Sequence, residues 1–252
     1  MIEVVEETAS TNADLAQRLR AGEHVPEDHW LRALRQTAGR GRRGREWVSP
    51  EGNLACSTVV EVRVSDPPVH TLAFVAGLAV FDAVEATLEF GGPASGDFVD
   101  RLPADASPRC LLKWPNDLLV DGAKIAGILL ERVGEHVVIG AGINVSGAPD
   151  VPGRVTTSLR AAGSDADAAA VLNRLASRFA ARLAQWRSQG LAEVLADWQG
   201  RATPPGTPLL VTLDDEGALT GTFAGLATDG ALRLRLADGS LRVVHAGDVS
   251  LV

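Results

Sequence analysis

Four short apolar segments with tight turns between them, spanning residues 110–145, constrain the fold more than any other feature of the chain. The segments read CLLKWP, DLLVDG, KIAGILLERV and HVVIGAGINV. Short apolar runs bounded by turn residues are typical of β-strands. We therefore predict that these segments are successive strands forming the centre of a sheet.

Strand and helix patterns also alternate outside this region. The predicted elements are strands at 2–5, 30–34 and 53–64, helices at 11–21, 71–89 and 164–186, and a shorter helix ending near residue 198. Side-chain oxygens of Ser10, Thr11 or Asn12 are expected to cap the first helix, and Ser164 the third. We predict a turn-rich insert at 91–108, and the breaker-rich segment 147–163 is expected to be a mobile surface loop.

The pattern changes at ATPPGTP, residues 202–208, after which only short strands separated by DDEG, TDG and ADG turns remain. Regular short strands with turn signals predict a small β-barrel. We accordingly place a domain boundary between residues 201 and 202, with an α/β unit at 1–201 and the barrel at 202–252.

Charge and composition exclude several classes of function. The formal net charge is −8, from 24 basic and 32 acidic residues, which disfavours bulk binding of nucleic acid. The only cysteines, Cys56 and Cys110, have no metal-ligand spacing, and the first residues do not resemble a signal peptide. The most apolar stretch, 72–84, falls short of the roughly 20 residues that span a bilayer. These features predict a reduced, cytoplasmic protein that does not cross a membrane.

The basic residues are unevenly divided, because 22 of the 24 are arginine and only Lys113 and Lys124 are lysine. A genome-wide codon bias accounts for the arginine excess. The lysine ammonium is a compact charge on a flexible chain, whereas the arginine guanidinium is planar and rigid. The two lysines are therefore expected at positions where a planar guanidinium does not fit. The alternative is that these two lysines remain by chance and have no special role.

The loop RQTAGRGRRGREW, residues 35–47, interleaves arginines with glycines. Glycine lets the backbone approach an anion closely and arginine neutralises it, so such a loop can fold over a phosphate-bearing ligand. The spacing fits neither a Walker loop nor a dinucleotide fingerprint. A solvated basic loop and an RNA-binding segment are the alternatives.

A second cluster contains Lys113, Asn116, Asp117 and Lys124, which lie at strand ends and turns where their side chains can converge on one sheet edge. An ordinary Pro-Asn-Asp turn with a surface lysine explains the same residues equally well. VIGAGINV, residues 138–145, places small residues at a strand end before Asn144. The five histidines show no pairing, so we expect them to be structural.

Several motifs, taken in order, resemble those of the biotin protein ligases, which attach biotin to a lysine of biotin-dependent carboxylases. The motifs are ASTN, QTAGRGRRGREWVSP with EGNLACS, LKWPNDLLVDGAKIAGILLE and IGAGINV, followed by the C-terminal barrel. The resemblance implies an α+β fold, with a mixed β-sheet catalytic domain of the biotin/lipoate ligase type, packed helices and an SH3-like barrel. It also implies that biotin and Mg-ATP form biotinyl-5'-AMP, from which biotin passes to the acceptor lysine.

The resemblance further assigns roles to individual residues. It implies a biotin site formed by Ser10, Thr11, Asn12, Gln36, Arg40, Gly41, Arg42, Lys124 and Gly140. It implies a nucleotide site formed by Arg40, Arg42, Asn116, Lys124, Gly142 and Asn144. Among the catalytic residues, Lys124 would bridge the biotin carboxyl and the phosphate, and Arg42 would retain the adenylate. Asp117 would orient or deprotonate the acceptor lysine.

The expected substrates are biotin and ATP with Mg²⁺ as its counter-ion, and no protein metal ligands are predicted. The expected partner is a biotin carboxyl carrier protein or domain of acetyl-CoA carboxylase or a related carboxylase. Only nine residues precede Ser10, so no DNA-reading domain is expected, and a homodimer is left open. The alternatives are a lipoate or octanoyl ligase, and a non-catalytic RNA-binding or biotin-sensing module.

Overall fold

The computed structural model describes residues 1–90, 110–213 and 217–251. The predicted insert at 91–108 lies outside these residues. The described chain contains a seven-stranded sheet, four α-helices and a five-stranded C-terminal sheet.

The large sheet is mixed, as the resemblance implied. Its strands, in spatial order, are β1 (Ile2–Thr8), β2 (Trp30–Gln36), β3 (Leu54–Glu61), β7 (His136–Ile143), β6 (Ala123–Val133), β5 (Asp117–Val120) and β4 (Cys110–Lys113). Strands β1 and β2 are parallel, and every other neighbouring pair is antiparallel. The predicted central position is correct for β6 and β7, whereas β4 lies at the edge, because each tight turn steps one strand further from β7.

Helices cover both faces of this sheet. Successive side chains of a strand point to opposite faces, so one strand contributes to the apolar clusters on both sides. On β3, Val59 packs in a small cluster with Leu15 of α1 (Thr11–Arg20), while Val60 belongs to the main core. That main core lies under α2 (Leu72–Phe90), α3 (Ala168–Gln189) and α4 (Leu191–Gly200). The sheet therefore separates a small apolar cluster from a large one.

Helix α2 is the central element of the large cluster. It packs on β4, β5 and β6 and against α3 and α4. Residues Val69–Leu88 are long and apolar enough to cross a membrane by length and composition. The apolar segment is therefore longer than the stretch 72–84 considered in the sequence analysis. However, 78% of the apolar window is buried inside the fold, as expected of a core helix.

Helix α3 begins later than predicted. Its N-cap is Asp167, whose carboxylate accepts a hydrogen bond from the Ala170 amide at 2.7 Å. Ser164 is instead buried and donates to the carbonyl of Thr87 at 3.3 Å. The predicted Ser164 cap was wrong because Asp167 offers a charged acceptor next to the first turn.

The C-terminal strands form a separate antiparallel sheet. Its strands are β8 (Pro208–Leu213), β9 (Gly217–Leu226), β10 (Leu232–Arg235), β11 (Leu241–Val244) and β12 (Asp248–Leu251), in the spatial order β11-β10-β9-β8-β12. The sheet is not closed into the expected barrel, because β11 and β12 lie at opposite edges and do not pair within the described residues. Strand β12 was missed, because VSL gives too short a periodic signal.

The two sheets share one hydrophobic core. Leu209, Phe223 and Leu232 of the C-terminal sheet belong to the same buried cluster as α2. The indole of Trp114 donates to the carbonyl of Gly230 at 3.1 Å, and Phe74 of α2 packs edge-on against Trp198 with ring centroids 5.4 Å apart. The domain boundary between residues 201 and 202 stays a prediction. Apolar packing continues between the two parts of the chain that it separates.

Replacing Phe74 with alanine should lower the free energy of unfolding by about 3–5 kcal/mol, because it leaves a cavity where α2, α4 and the C-terminal sheet meet. Urea denaturation followed by circular dichroism measures the change. The exposed Val64 provides the control, since Val64→Ala should change stability by less than about 0.5 kcal/mol.

A shared core also predicts that both sheets unfold together. Hydrogen exchange read by mass spectrometry should give strands 208–213 and 136–143 the same opening free energy under mildly denaturing conditions. Earlier exchange confined to 208–251 would contradict the shared core.

Candidate active site

A cavity of about 300 Å³ lies between the large sheet, the arginine-glycine loop (residues 37–47) and the segment 147–163. Every residue to which the resemblance assigned a biotin, nucleotide or catalytic role lines it. These are Ser10, Thr11, Asn12, Gln36, Arg40, Gly41, Arg42, Asn116, Asp117, Lys124, Gly140, Gly142 and Asn144. Residues from distant parts of the chain thus meet in one place.

Glycines on neighbouring strands form the floor of the cavity. Gly140 and Gly142 are two apart on β7, so both face the same side, and Gly142 pairs in register with Gly127 of β6. A Cβ atom at Gly142 would overlap the indole of Trp47, and one at Gly140 would overlap the amide of Asn12. Because these positions carry no side chain, Trp47 and Asn12 can lie directly on the backbone of β7.

One end of the cavity is lined by uncharged polar side chains, which are held in a hydrogen-bond network. The backbone amide and hydroxyl of Thr11 both donate to Gln36 Oε1, at 2.9 and 3.1 Å. The Ser57 hydroxyl lies 2.7 Å from that of Thr11 and donates to Asn12 Oδ1 at 2.6 Å. The Asn12 amide nitrogen then donates to Glu131 Oε2 at 2.8 Å. This chain of bonds fixes which atoms each side chain can offer to a ligand.

Sequence reasoning missed Ser57 and Glu131 in this network. The only signal was a polar residue at an otherwise apolar strand position, which local patterns do not connect to residues 11 and 12.

The sequence also predicted that a side chain at the start of α1 caps the helix. Ser10 is the N-cap residue, but its side chain makes no capping hydrogen bond, so that expectation was wrong for Ser10.

The other end of the cavity holds a buried cluster of charges. Lys124 Nζ lies 2.5 Å from Asp117 Oδ1, and Lys113 Nζ lies 2.9 Å from Asp117 Oδ2. Both lysines of the chain therefore contact the same carboxylate. Each side chain in the cluster is at most 17% exposed, so these charges interact with little screening by water.

Burial and charge shift the pKa values of this cluster in defined directions. Burial alone would raise the pKa of Asp117, but attraction and hydrogen bonds from Lys124 and Lys113 hold it below its usual range. Burial lowers the pKa of Lys124, and Asp117 offsets part of that shift. The Lys124 ammonium also lies 5.5 Å from the centroid of the Trp47 ring, a cation–π distance.

The arginine-glycine loop forms a closed turn at the mouth of the cavity. The Gly41 amide donates to the Arg45 carbonyl at 2.7 Å, and Arg40 and Glu46 form an antiparallel bridge. The Arg42 guanidinium lies 3.5 Å from Asn116 Oδ1, and burial lowers its pKa. Arginine keeps its charge under such a shift, so Arg42 remains a cation beside the cavity.

Two buried polar atoms of the cavity wall have no hydrogen-bond partner among the described residues. They are the indole nitrogen of Trp47, a donor, and Oδ1 of Asn144, an acceptor. Leaving such groups unpaired costs about 1–3 kcal/mol each, so they are suited to pair with a ligand. Trp47 was missed as a site residue, because an aromatic residue after a basic loop also fits ordinary packing.

The segment 147–163 forms the remaining wall, and part of it is tied to the sheet. The amide of Lys124 donates to the Val155 carbonyl at 2.9 Å, and the Thr157 amide donates to the Lys124 carbonyl at 3.0 Å. Leu159 is fully buried. The prediction of a surface loop therefore applies only to the first part of the segment, because residues 155–159 pair with the sheet and the core.

The cavity does not contain a reactive thiol. Cys56 lines the wall, but burial raises the pKa of its thiol to about 12, so it stays protonated near neutral pH. Chemistry in the cavity therefore relies on positioning and on the charged groups.

Comparison with known proteins matches the chain over nearly its whole length. Residues 5–144 match the sequence model of the biotin/lipoate A/B protein ligase family, and residues 210–252 match that of the biotin protein ligase C-terminal domain. The biotin–[acetyl-CoA-carboxylase] ligase of Paracoccus denitrificans is 35% identical, over 96% of this chain and 98% of the relative. The ligase of the same description from Mycobacterium tuberculosis is 36% identical, over 98% and 88%.

A solved structure agrees with these matches. The biotin protein ligase of Aquifex aeolicus, in complex with biotin and ATP, superimposes with a TM-score of 0.79 at 27% identity, covering 100% of this chain and 98% of the other. With two sequence models matched in order and full-length relatives above 30% identity, the chain belongs to the biotin/lipoate A/B protein ligase family, in the group of the biotin protein ligases.

Proposed function

We propose that the protein joins biotin to a lysine of a biotin carboxyl carrier protein, in two steps through biotinyl-5'-AMP. The observation that carries the proposal is a single cavity with an uncharged polar end, a glycine floor and a cationic end. Biotin has the same sequence of parts: a ureido ring, an apolar chain and a carboxylate. The named relatives are ligases of this kind.

The polar end supports binding of the ureido ring. Ser10, Thr11, Asn12 and Gln36 supply hydrogen-bonding groups there, and the network with Ser57 and Glu131 fixes their orientation. A site built to pair with such groups discriminates strongly against a ligand that lacks them. Gly140 and Gly41 leave room for the ring and chain, while Arg40 and Arg42 lie towards the carboxylate.

In the first step, a biotin carboxylate oxygen attacks the α-phosphorus of ATP and pyrophosphate leaves. Negative charge grows on the phosphorus oxygens, and cations held in place before the reaction stabilise it. Lys124 is the flexible cation that can follow the carboxylate and the phosphate, and Arg42 closes the same side. Trp47, Gly142, Asn116 and Asn144 line the same cavity and would contact the nucleotide.

ATP would enter as its Mg²⁺ complex. Within residues 1–90, 110–213 and 217–251, there is no group of three His, Cys, Asp or Glu side chains able to hold a metal. Asp117, the most buried carboxylate of the cavity, is already paired with two lysines. Mg²⁺ is bound in many sites largely by substrate phosphates and water. We therefore treat it as part of the substrate.

In the second step, the amine of the acceptor lysine attacks the biotinyl carbonyl, AMP leaves, and the amine loses a proton to water. Asp117 is a poor base for that proton, because both lysines hold its pKa below its usual range. Its contacts support the other role, in which its carboxylate orients Lys124 and the incoming amine. The proposed acceptor is the carrier domain of acetyl-CoA carboxylase or a related enzyme.

We propose that the protein acts in the cytoplasm, without DNA or a membrane as a partner. The net charge of −8 supports the absence of these two partners, because it repels polyanions and anionic lipid surfaces. Whether it forms a homodimer stays a prediction to be tested by its mass in solution.

The proposed function predicts a biotinyl mass increment on a purified carrier domain incubated with the protein, Mg-ATP and biotin. Intact-protein mass spectrometry measures it, with lipoate replacing biotin in a parallel reaction. An increment with lipoate alone would indicate a lipoate ligase instead. No increment in either reaction would leave a binding module.

Lys124→Ala should slow biotinyl-AMP formation by at least about 100-fold, because loss of one such stabilising group typically costs about 10²–10³ in rate. Pyrophosphate release is the assay. Arg132→Ala is the matched control, since Arg132 lies on the same strand and its guanidinium bonds the nearby carbonyl of Gly134. A Lys124→Ala variant with the wild-type rate would remove Lys124 from the mechanism.

Alanine substitutions on the glycine floor should separate the two ends of the cavity. Gly140→Ala crowds Asn12 and should raise KM for biotin about tenfold, whereas Gly142→Ala crowds Trp47 and should raise KM for ATP. Gly147→Ala is the control, because a Cβ there meets no atom within 4 Å. Equal effects of both floor variants on both substrates would argue against this division.

A further inference from the structure

The C-terminal sheet contacts the arginine-glycine loop through one carboxylate. Asp248, the first residue of β12, places Oδ1 2.6 Å from Arg45 Nη2 and Oδ2 3.2 Å from Arg43 Nη1. The two arginines flank Gly44 in the closed turn at the mouth of the cavity. A single side chain of the second sheet thus holds both sides of this turn.

The residues next to Asp248 contact the site as well. The Gly247 carbonyl accepts a hydrogen bond from Arg42 Nη1 at 3.4 Å, and the Val249 carbonyl accepts one from Lys113 Nζ at 2.9 Å. Lys113 is one of the two lysines on Asp117. Consecutive residues of the C-terminal sheet therefore reach the arginine-glycine loop and the charged cluster.

We infer that Asp248 is a positioning residue of the ligase, which holds the arginine-glycine loop closed over the cavity and so retains biotinyl-AMP until the acceptor arrives. The inference rests on the proposed function. Asp248 does not line the cavity next to the floor glycines and acts through Arg43 and Arg45. Its effect is on how often the loop opens.

The strength of these contacts suits a loop that must both close and open. The side chains of Arg43, Arg45 and Asp248 are 26%, 38% and 29% exposed, so water screens each pair. Two partners on one carboxylate nevertheless favour one loop position. A fully buried ion pair would hold the loop too firmly for substrate entry. Loss of the Asp248 charge should increase the population of molecules with an open loop about tenfold.

The first test uses the full-length protein and the variants Asp248→Asn and Asp229→Asn. Asp229 is the matched control, because it lies in the C-terminal part of the chain and its carboxylate contacts His245 and the amide of Ala231. With biotin and Mg-ATP but no acceptor, Asp248→Asn should release free biotinyl-AMP about tenfold faster than the wild type, measured by mass spectrometry after rapid ultrafiltration. Asp229→Asn should release it at the wild-type rate.

A second readout does not depend on activity. Trypsin cleavage after Arg42 and Arg43, followed by mass spectrometry under native conditions, measures loop opening, and it should be about tenfold faster in Asp248→Asn. Combining Asp248→Asn with Arg45→Gln should add little to either single change, because both remove the same contact.

Wild-type rates of cleavage and of adenylate release in Asp248→Asn would overturn the inference, as would additive effects in the double variant. If the wild type forms no biotinyl-AMP but Asp248→Asn still speeds cleavage, the proposed function fails while the loop contact stands.

Discussion

The arrangement of the site depends on one buried carboxylate shared by two lysines. Asp117 begins β5, Lys113 ends β4, and Lys124 lies near the start of β6, so the cluster joins three neighbouring strands at one end. Removing three charges from water is costly, and their mutual attraction offsets only part of that cost. A fold that needed only stability would place apolar side chains here. The proposed ligase reaction would explain the cluster, because Lys124 could turn to a substrate while Lys113 remains with Asp117.

The elements that the sequence predicts well have local signals. The strands at 110–145 and the long core helix follow from apolar patterns within single segments, and the positions of Lys124, Asp117 and the floor glycines follow from motifs that resemble those of one enzyme family. All of these residues line one cavity in the structure. Their individual roles still require the experiments on the ligase reaction.

The features that sequence reasoning missed come from contacts between distant segments. Glu131 orients Asn12 across 119 positions, and Asp248 contacts Arg45 across 203. No pattern within one segment encodes such a pair. The same holds for the open C-terminal sheet, because local strand and turn signals do not say whether its edge strands β11 and β12 pair. Local competition explains the misplaced start of α3, since Ser164 and Asp167 both suit a cap. Asp167 offers a charged acceptor beside the first turn, while Ser164 bonds the carbonyl of Thr87.

The glycine floor limits how this pocket can be redesigned for other acids. Gly127, Gly140 and Gly142 lie directly under Trp47, Lys124 and Asn12, so a larger residue on the floor would push these side chains into the pocket. Extra volume for a bulkier biotin analogue can come only from the walls, and Trp47 is the large side chain that rests on the floor. Trimming Trp47 would also remove the aromatic face beside Lys124. Under the proposed function, acceptance of larger acids and placement of the Lys124 ammonium are therefore opposing demands on Trp47.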